Sequence, residues 1–153
     1  MKKFFYFVAL VATVLFTSSC GKSEQKLSAD DEAALNALVS IFDEEARKDA
    51  EMDDELTYKG TKLEGRDIVI TAVVDESELP AGITVKSAFQ ISGQNMDAMV
   101  DQLAQGIFSE VPAEAKPFME VLHRCNSAIV LRYEGNLSHE AIDLRIPSEK
   151  LPK

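Results

Sequence analysis

The stretch that most constrains the fold of this chain is Arg66–Val74, where every residue after Asp67 is β-branched except Ala72. Side chains branched at Cβ fit the pleated surface of a sheet and are stiff in a helix. The apolar residues occupy both faces of the stretch, and such a strand needs cover on both of its faces. The sequence therefore predicts a central strand of a sheet.

Three further stretches complete the predicted sheet. Leu56–Leu63 precedes the central stretch and is joined to it by a Glu-Gly pair that suits a tight turn. Ile129–Glu134 and Ala141–Ile146 alternate between apolar and polar residues, and residues 135–138 turn the chain between them. Because tight turns join antiparallel neighbours, we expect an antiparallel sheet of about four strands.

The last two strands form a predicted hairpin whose register follows from its turn. If residue 134 pairs with residue 139, Leu131 lies opposite Ile142 and both point into the core.

The other face of this hairpin carries Arg132, Asp143 and Arg145. In the predicted register Arg132 and Asp143 are diagonal neighbours, and an exposed ion pair between them would contribute little stability. A sheet face without helices is a common docking surface, and arginine is enriched at protein interfaces. These three residues are therefore our candidate partner-binding face, and an ordinary solvated face is the alternative.

Helices are predicted before the first pair of strands and between the two pairs. Ser28, followed by acidic residues, marks the start of a helix over Ala29–Lys48. Residues 83–110 are mainly helical in pattern, with a possible break at the Ser-Gly pair of residues 92–93, and residues 118–125 form a shorter helix. The order α-β-β-α-α-β-β predicts an α+β fold with the helices packed on one face of the antiparallel sheet.

The N-terminus carries Lys2 and Lys3, an apolar run over Phe4–Phe16, and small residues that end at Cys20. This order of charged, apolar and small residues is typical of a secretory signal. The apolar run of about 13 residues is shorter than the ~20 that span a bilayer. A cysteine directly after the small residues resembles a bacterial lipoprotein signal peptide, although Thr17 stands where that pattern usually has Leu or another aliphatic residue.

The resemblance implies a signal peptide over residues 1–19, a lipidated Cys20 with a tether over 20–27, and a single α+β domain over 28–153. The domain would be held by its lipid to a membrane of the bacterial cell envelope, facing the periplasm or the cell surface. An ordinary secreted protein is the alternative. The last forty residues, with Ala128–Gly135 and Ile142–Pro147, are similar to the closing strand pair of small lipoproteins of the Bacteroides type, which implies a compact α+β fold.

Charge and cysteine content narrow the partners further. Cleavage before Cys20 would remove two lysines and no acidic residue, so the net charge of −10 becomes −12 over 134 residues. Such a chain repels nucleic acid, and we expect none as a partner. Cys125 would remain as a lone cysteine without a disulfide or a zinc site, and its place on the apolar side of a predicted helix indicates a buried thiol.

Few residues suggest chemistry. The sequence contains no Walker loop, no dinucleotide fingerprint and no His-Glu-x-x-His motif. His123 and Cys125 lie two residues apart on one predicted helix and point in different directions, so they cannot form a catalytic pair. Met96 and Met99 could line an adaptable groove, but their spacing more simply indicates a core face.

Two acidic runs could bind calcium through oxygen atoms: Asp49, Glu51, Asp53, Asp54 and Glu55 in the first, and Asp75, Glu76 and Glu78 in the second. Neither run has the glycine and the terminal glutamate of an EF-hand loop, so a solvated surface is the preferred interpretation. The sequence thus predicts no catalytic residue, no metal and no cofactor.

The sequence favours a non-catalytic, lipid-anchored envelope module that binds a protein or a small ligand. One alternative is an envelope enzyme in which Asp143 or Glu140 lies in a cleft. Another is an acidic inhibitor or immunity-type protein that blocks a cationic target.

Overall fold

Four α-helices, two short 3-10 helices (Glu76–Glu78 and Ser148–Lys150) and one four-stranded sheet form the described part of the chain. The computed structural model describes residues 27–50, 56–91, 96–110, 113 and 115–151. In chain order the elements are α1 (Ala29–Ala50), β1 (Leu56–Glu64), β2 (Asp67–Val74), α2 (Val85–Ile91), α3 (Met96–Glu110), α4 (Lys116–Cys125), β3 (Ala128–Gly135) and β4 (Ala141–Pro147). The helical region predicted over residues 83–110 thus contains two helices, and residues 92–95 between them lie outside the description.

The sheet is mixed, with strand order β1-β2-β3-β4. Its outer pairs, β1 with β2 and β3 with β4, are antiparallel, but β2 and β3 run parallel, in register from Ile68 opposite Ile129 to Val74 opposite Gly135. The α+β class, the four strands and the order of elements are confirmed, and the prediction of a purely antiparallel sheet is wrong at the central pair. The reason lies in residues 75–127, whose three helices bring the chain back to the end at which β2 began, as a parallel pair requires.

The core fills the space between the helices and one face of the sheet. α1 packs on β1 and β2, α2 on β3 and β4, α3 on β4, and α4 lies against α1. The largest fully buried side chains come from all of these layers: Leu35 and Leu38 of α1, Leu122 of α4, Ile68 of β2, Ile129 of β3, and Leu144 and Ile146 of β4. Among the described residues, no helix is long and apolar enough to cross a membrane.

The start of α1 and the end of α4 each carry a helix cap that the sequence explains. Ser28 caps α1, since its Oγ accepts a hydrogen bond from the backbone N–H of Asp31 (3.1 Å). α4 ends at Asn126, which takes the left-handed conformation with φ of 52° and donates its N–H back to the last helical turn. Cys125, just before this cap, is buried as predicted.

The register of the C-terminal hairpin differs from the prediction by two residues. Leu131 lies opposite Leu144, Arg132 opposite Asp143, and residue 134 opposite residue 141, not 139. The turn is longer than expected because the chain bends back over residues 136–140. A shift of two residues keeps every side chain on its predicted face, so the core assignment of the hairpin still holds.

One buried carboxylate ties the helical connection to this turn. Glu76 follows β2, and its side chain is only 7% exposed. It accepts hydrogen bonds from the backbone N–H of Val85 (2.7 Å) at the start of α2. From the turn it accepts the backbone N–H groups of Leu137 (3.2 Å) and Ser138 (2.6 Å) and the Ser138 hydroxyl (2.8 Å). A β-carbon on Gly135 would overlap the carboxylate, so a larger residue there would displace the Glu76 side chain from this contact.

The charge of Glu76 makes this contact dependent on pH. Burial raises the pKa of the Glu76 carboxyl, but the hydrogen bonds from Val85, Ser138 and Leu137 lower it by more, so the net pKa lies below the ordinary value of 4.5. A carboxyl whose pKa is lowered by folding binds fewer protons in the folded than in the unfolded state. Its stabilising effect is therefore complete above about pH 4.5 and is lost as the pH falls through the folded-state pKa.

Replacing Glu76 by Gln should lower the free energy of unfolding by about 2–4 kcal/mol, because the amide NH₂ would face backbone donors and leave them unpaired. Urea unfolding followed by circular dichroism measures the change. Glu78→Gln, at an exposed position of the same turn, is the control and should change stability by less than about 0.5 kcal/mol. The difference between the Glu76→Gln variant and the parent should narrow at acid pH, and a difference that stays constant down to about pH 3 would contradict the role of the charge.

Candidate binding face on the open side of the sheet

No described helix packs on the second face of the sheet, which we call the open face. It nevertheless buries apolar side chains: Val69 of β2 is 2% exposed, and Ala128 and Val130 of β3 are 0% and 5% exposed. These three form a small cluster separate from the main core. Because no described helix lies above them, side chains of the sheet that extend over this cluster contribute to its cover.

Arg132 provides part of this cover. Its guanidinium binds Asp143 with two hydrogen bonds of 2.8 Å, and Asp143 is directly opposite on β4. The same group donates to both oxygens of Glu64 on β1 (2.9 and 3.3 Å). To reach Glu64 from β3, the side chain passes across β2, the strand that carries Val69. Arg132 is accordingly only 23% exposed, and its aliphatic stem shields apolar surface while the charged head is satisfied.

Arg145 repeats the arrangement one strand further along. It lies on β4 and pairs with Asp67 on β2, so its side chain passes across β3. Asp67 also accepts the backbone N–H of Ala128 (2.8 Å), which fixes the carboxylate at the start of β3. A third pair, Lys59 of β1 with Glu134 of β3, also spans the strand between them.

Positive and negative side chains are equal in number on the described open face. Among the described residues, the ion pairs of this face join four cations, Lys59, Lys62, Arg132 and Arg145, to four anions, Glu64, Asp67, Glu134 and Asp143. The described open face is thus close to neutral, although the whole chain carries −10. The hydrogen bonds that Glu64 accepts from Lys62 and, with a smaller effect, from Arg132 lower the pKa of its carboxyl. The hydrogen bonds that Arg132 donates to Asp143 and Glu64 hold the pKa of its guanidinium above the usual range.

A hollow lies beside this network, where β1 contains a bulge. Tyr58 pairs with Ala72 and Gly60 pairs with Thr71, so Lys59 is an extra residue in β1. The hollow has a volume of about 340 Å³ and is lined by Lys59, Gly60, Thr61, Lys62, Thr71 and Glu134.

The structure brings together all three residues of the predicted binding face. Arg132 and Asp143 are paired, as expected, but as directly opposite residues, and Arg145 lies on the same face with Asp67 as its partner. Sequence reasoning missed Glu64 and Asp67, which flank the tight turn between β1 and β2, and it missed the hollow. Gly60 was the residue that could have indicated the hollow, because a glycine within a strand often marks a bulge or a place where a ligand comes close to the backbone.

The other described candidates, Cys125, Glu140 and Asp143, lie in the following surroundings. Cys125 is buried. Its burial and, to a smaller extent, the negative charge of the nearby Asp31 raise the pKa of the thiol. The thiol therefore stays neutral and is a poor nucleophile. Glu140 accepts a hydrogen bond from the Thr84 hydroxyl (2.7 Å), whereas Asp143 is bound to Arg132.

Of the second acidic run, Glu76 is buried in the contact with the β3–β4 turn, and Asp75 accepts hydrogen bonds from Ser77 and Asn136. In the part of the chain that is described, no group of three or more His, Cys, Asp or Glu side chains is placed to hold a metal ion. The first acidic run falls on residues 51–55 and on the side chain of Asp49, which lie outside the described part, as do Cys20 and the side chains of Met96 and Met99.

Comparison of the chain with models of protein families, with characterised proteins and with solved structures gives no significant match.

Arg132→Ala should lower the free energy of unfolding by about 1–3 kcal/mol, because it exposes apolar surface and leaves Glu64 and Asp143 without their shared cation. Arg132→Met keeps an apolar stem, and this variant should lose about half as much free energy of unfolding as Arg132→Ala. Thermal and urea unfolding measure both changes. Lys48→Ala removes an exposed ion-pair partner within α1 and should leave the stability nearly unchanged. If Arg132→Ala and Arg132→Met lose the same free energy of unfolding, the stem of Arg132 does not shield apolar surface.

Proposed function

We propose that this chain is a lipid-anchored binding module of the bacterial envelope, non-catalytic, that contacts its partner or ligand through the open face of its sheet. The observation that carries the proposal is the asymmetry of the sheet. One face is covered by helices, and the other presents a nearly neutral array of paired charges with a hollow of about 340 Å³ beside it.

The geometry of the open face suits recognition. Its charged groups hold one another in place, so a partner would meet side chains that are already ordered and would lose less conformational entropy on binding. An alternating arrangement of exposed charges determines the orientation in which a partner binds, and it contributes less to the affinity. Because the face lacks the negative charge of the chain as a whole, it would not repel an acidic ligand as the rest of the surface does.

The anchor is the second part of the proposal. It rests on the N-terminal sequence, in which Cys20 directly follows the small residues of a signal peptide, and on the short polar segment before α1 that would serve as a tether.

Cys20→Ala should release the protein from the membrane fraction into the soluble envelope fraction, because the thiol that would carry the lipid is gone. Fractionation of cells with and without detergent measures this. Cys125→Ala is the matched control, since Cys125 is buried within the domain, and this variant should stay in the membrane fraction. If the Cys20→Ala protein still requires detergent for release, the lipid anchor is refuted.

A photo-crosslinking residue placed at Thr57 or Ala141 should give discrete adducts in intact cells, because both positions are exposed on the open face. The same residue at Ser40, exposed on α1, is the control and should give none of these adducts. Gel shifts and mass spectrometry identify protein and small-molecule adducts alike. Identical products from all three positions, or products from Ser40 alone, would contradict binding through the open face.

A further inference from the structure

The bulge in β1 brings two lysines to the same face of the sheet. In a regular strand, residues three apart, such as Lys59 and Lys62, point to opposite faces. Here the extra residue at position 59 interrupts the alternation. Lys59 pairs with Glu134 and Lys62 pairs with Glu64, and both carboxylates belong to the open face. The two ammonium groups therefore lie on the open face, on either side of Gly60.

Glycine at position 60 keeps the space between them open. Its φ of +146° is one that residues with side chains rarely adopt, and no atom lies within 4 Å of the place where a β-carbon would be. Opposite Gly60 is Thr71, which is buried in the floor of the hollow. A bulge and a glycine within a strand are features that often accompany a ligand site, because they allow a close approach to the backbone.

We propose that this hollow binds a small hydroxylated anion, such as an acidic sugar or a sugar phosphate, with its carboxylate or phosphate between Lys59 and Lys62. The side chains of Lys59 and Lys62 are 59% and 62% exposed. An ammonium group has three donors, so each lysine keeps its carboxylate partner and still donates to a ligand. The volume of about 340 Å³ is at the lower end of the ~300–1,000 Å³ of small-molecule sites.

The remaining lining selects for hydroxyl groups. The Glu134 carboxylate accepts hydrogen bonds, and a ligand hydroxyl next to the anionic group would donate to it. A simple anion such as inorganic phosphate offers fewer hydroxyl donors for this contact and would bind less tightly than an acidic sugar. This inference rests on the proposed binding role of the open face and names its ligand, but it does not depend on the lipid anchor.

The test is a titration of the ¹⁵N-labelled full-length protein in detergent micelles, with amide shifts of Gly60 and Thr71 as the readout. The probes are galacturonate and inorganic phosphate, with neutral galactose and sodium chloride at matched ionic strength as controls. We expect saturable shifts with galacturonate, a weaker response to phosphate, and none with the two controls. Shifts that do not saturate, or that sodium chloride reproduces, would overturn the proposal.

Lys59→Gln and Lys62→Gln should each weaken galacturonate binding by about tenfold, the scale of one hydrogen bond to a charged group. Lys48→Gln, on an exposed lysine of α1, is the matched control and should leave the affinity unchanged. If all three variants bind alike, the hollow is not the site. If no anion binds but crosslinks from Thr57 and Ala141 persist, the anion proposal fails and the binding role stands. If both fail, both proposals are refuted.

Discussion

The parallel pairing of β2 with β3 is the constraint on which the rest of this structure depends. Both strands are central, and the first half of each buries apolar side chains on both faces. For them to run in the same direction, the chain must return from one end of the sheet to the other, and residues 75–127 do so as three helices. All three pack with α1 on one face of the sheet. The same connection thus builds the core on one side, and no helix of the described residues covers the other side.

Long charged side chains extend over the face on which no described helix packs. Arg132 and Arg145 each cross a neighbouring strand to reach a carboxylate, and Val69, Ala128 and Val130 are buried on this same face. Isolated surface ion pairs contribute little to stability. Here the stem of Arg132, which is only 23% exposed, also shields apolar surface, so its ion pairs and the burial support one another. The result is a face that is ordered and nearly neutral in an acidic protein, and these are properties useful for recognition.

The Glu76 contact connects this face to the helical side. The carboxylate joins the start of α2 to the β3–β4 turn, and that turn determines which residue of β4 lies opposite Arg132. Gly135 leaves room for the same contact, because a β-carbon there would push the Glu76 carboxylate out of its place. A change in the connection between β2 and α2 would therefore be transmitted to the hairpin and to the pairing of Arg132 with Asp143.

The sequence by itself determined the local elements, because the side-chain periods of helices and strands are properties of neighbouring residues. The helix after Ser28, the β-branched stretch that became β2, the buried thiol of Cys125 and the shared face of Arg132, Asp143 and Arg145 were all predictable in this way. Only the tertiary structure decided the direction of β2 relative to β3, the register of the last hairpin and the carboxylates at Glu64 and Asp67 that the arginines reach. These depend on where a long connection returns the chain and on contacts between residues more than sixty positions apart, and no local pattern encodes either of them.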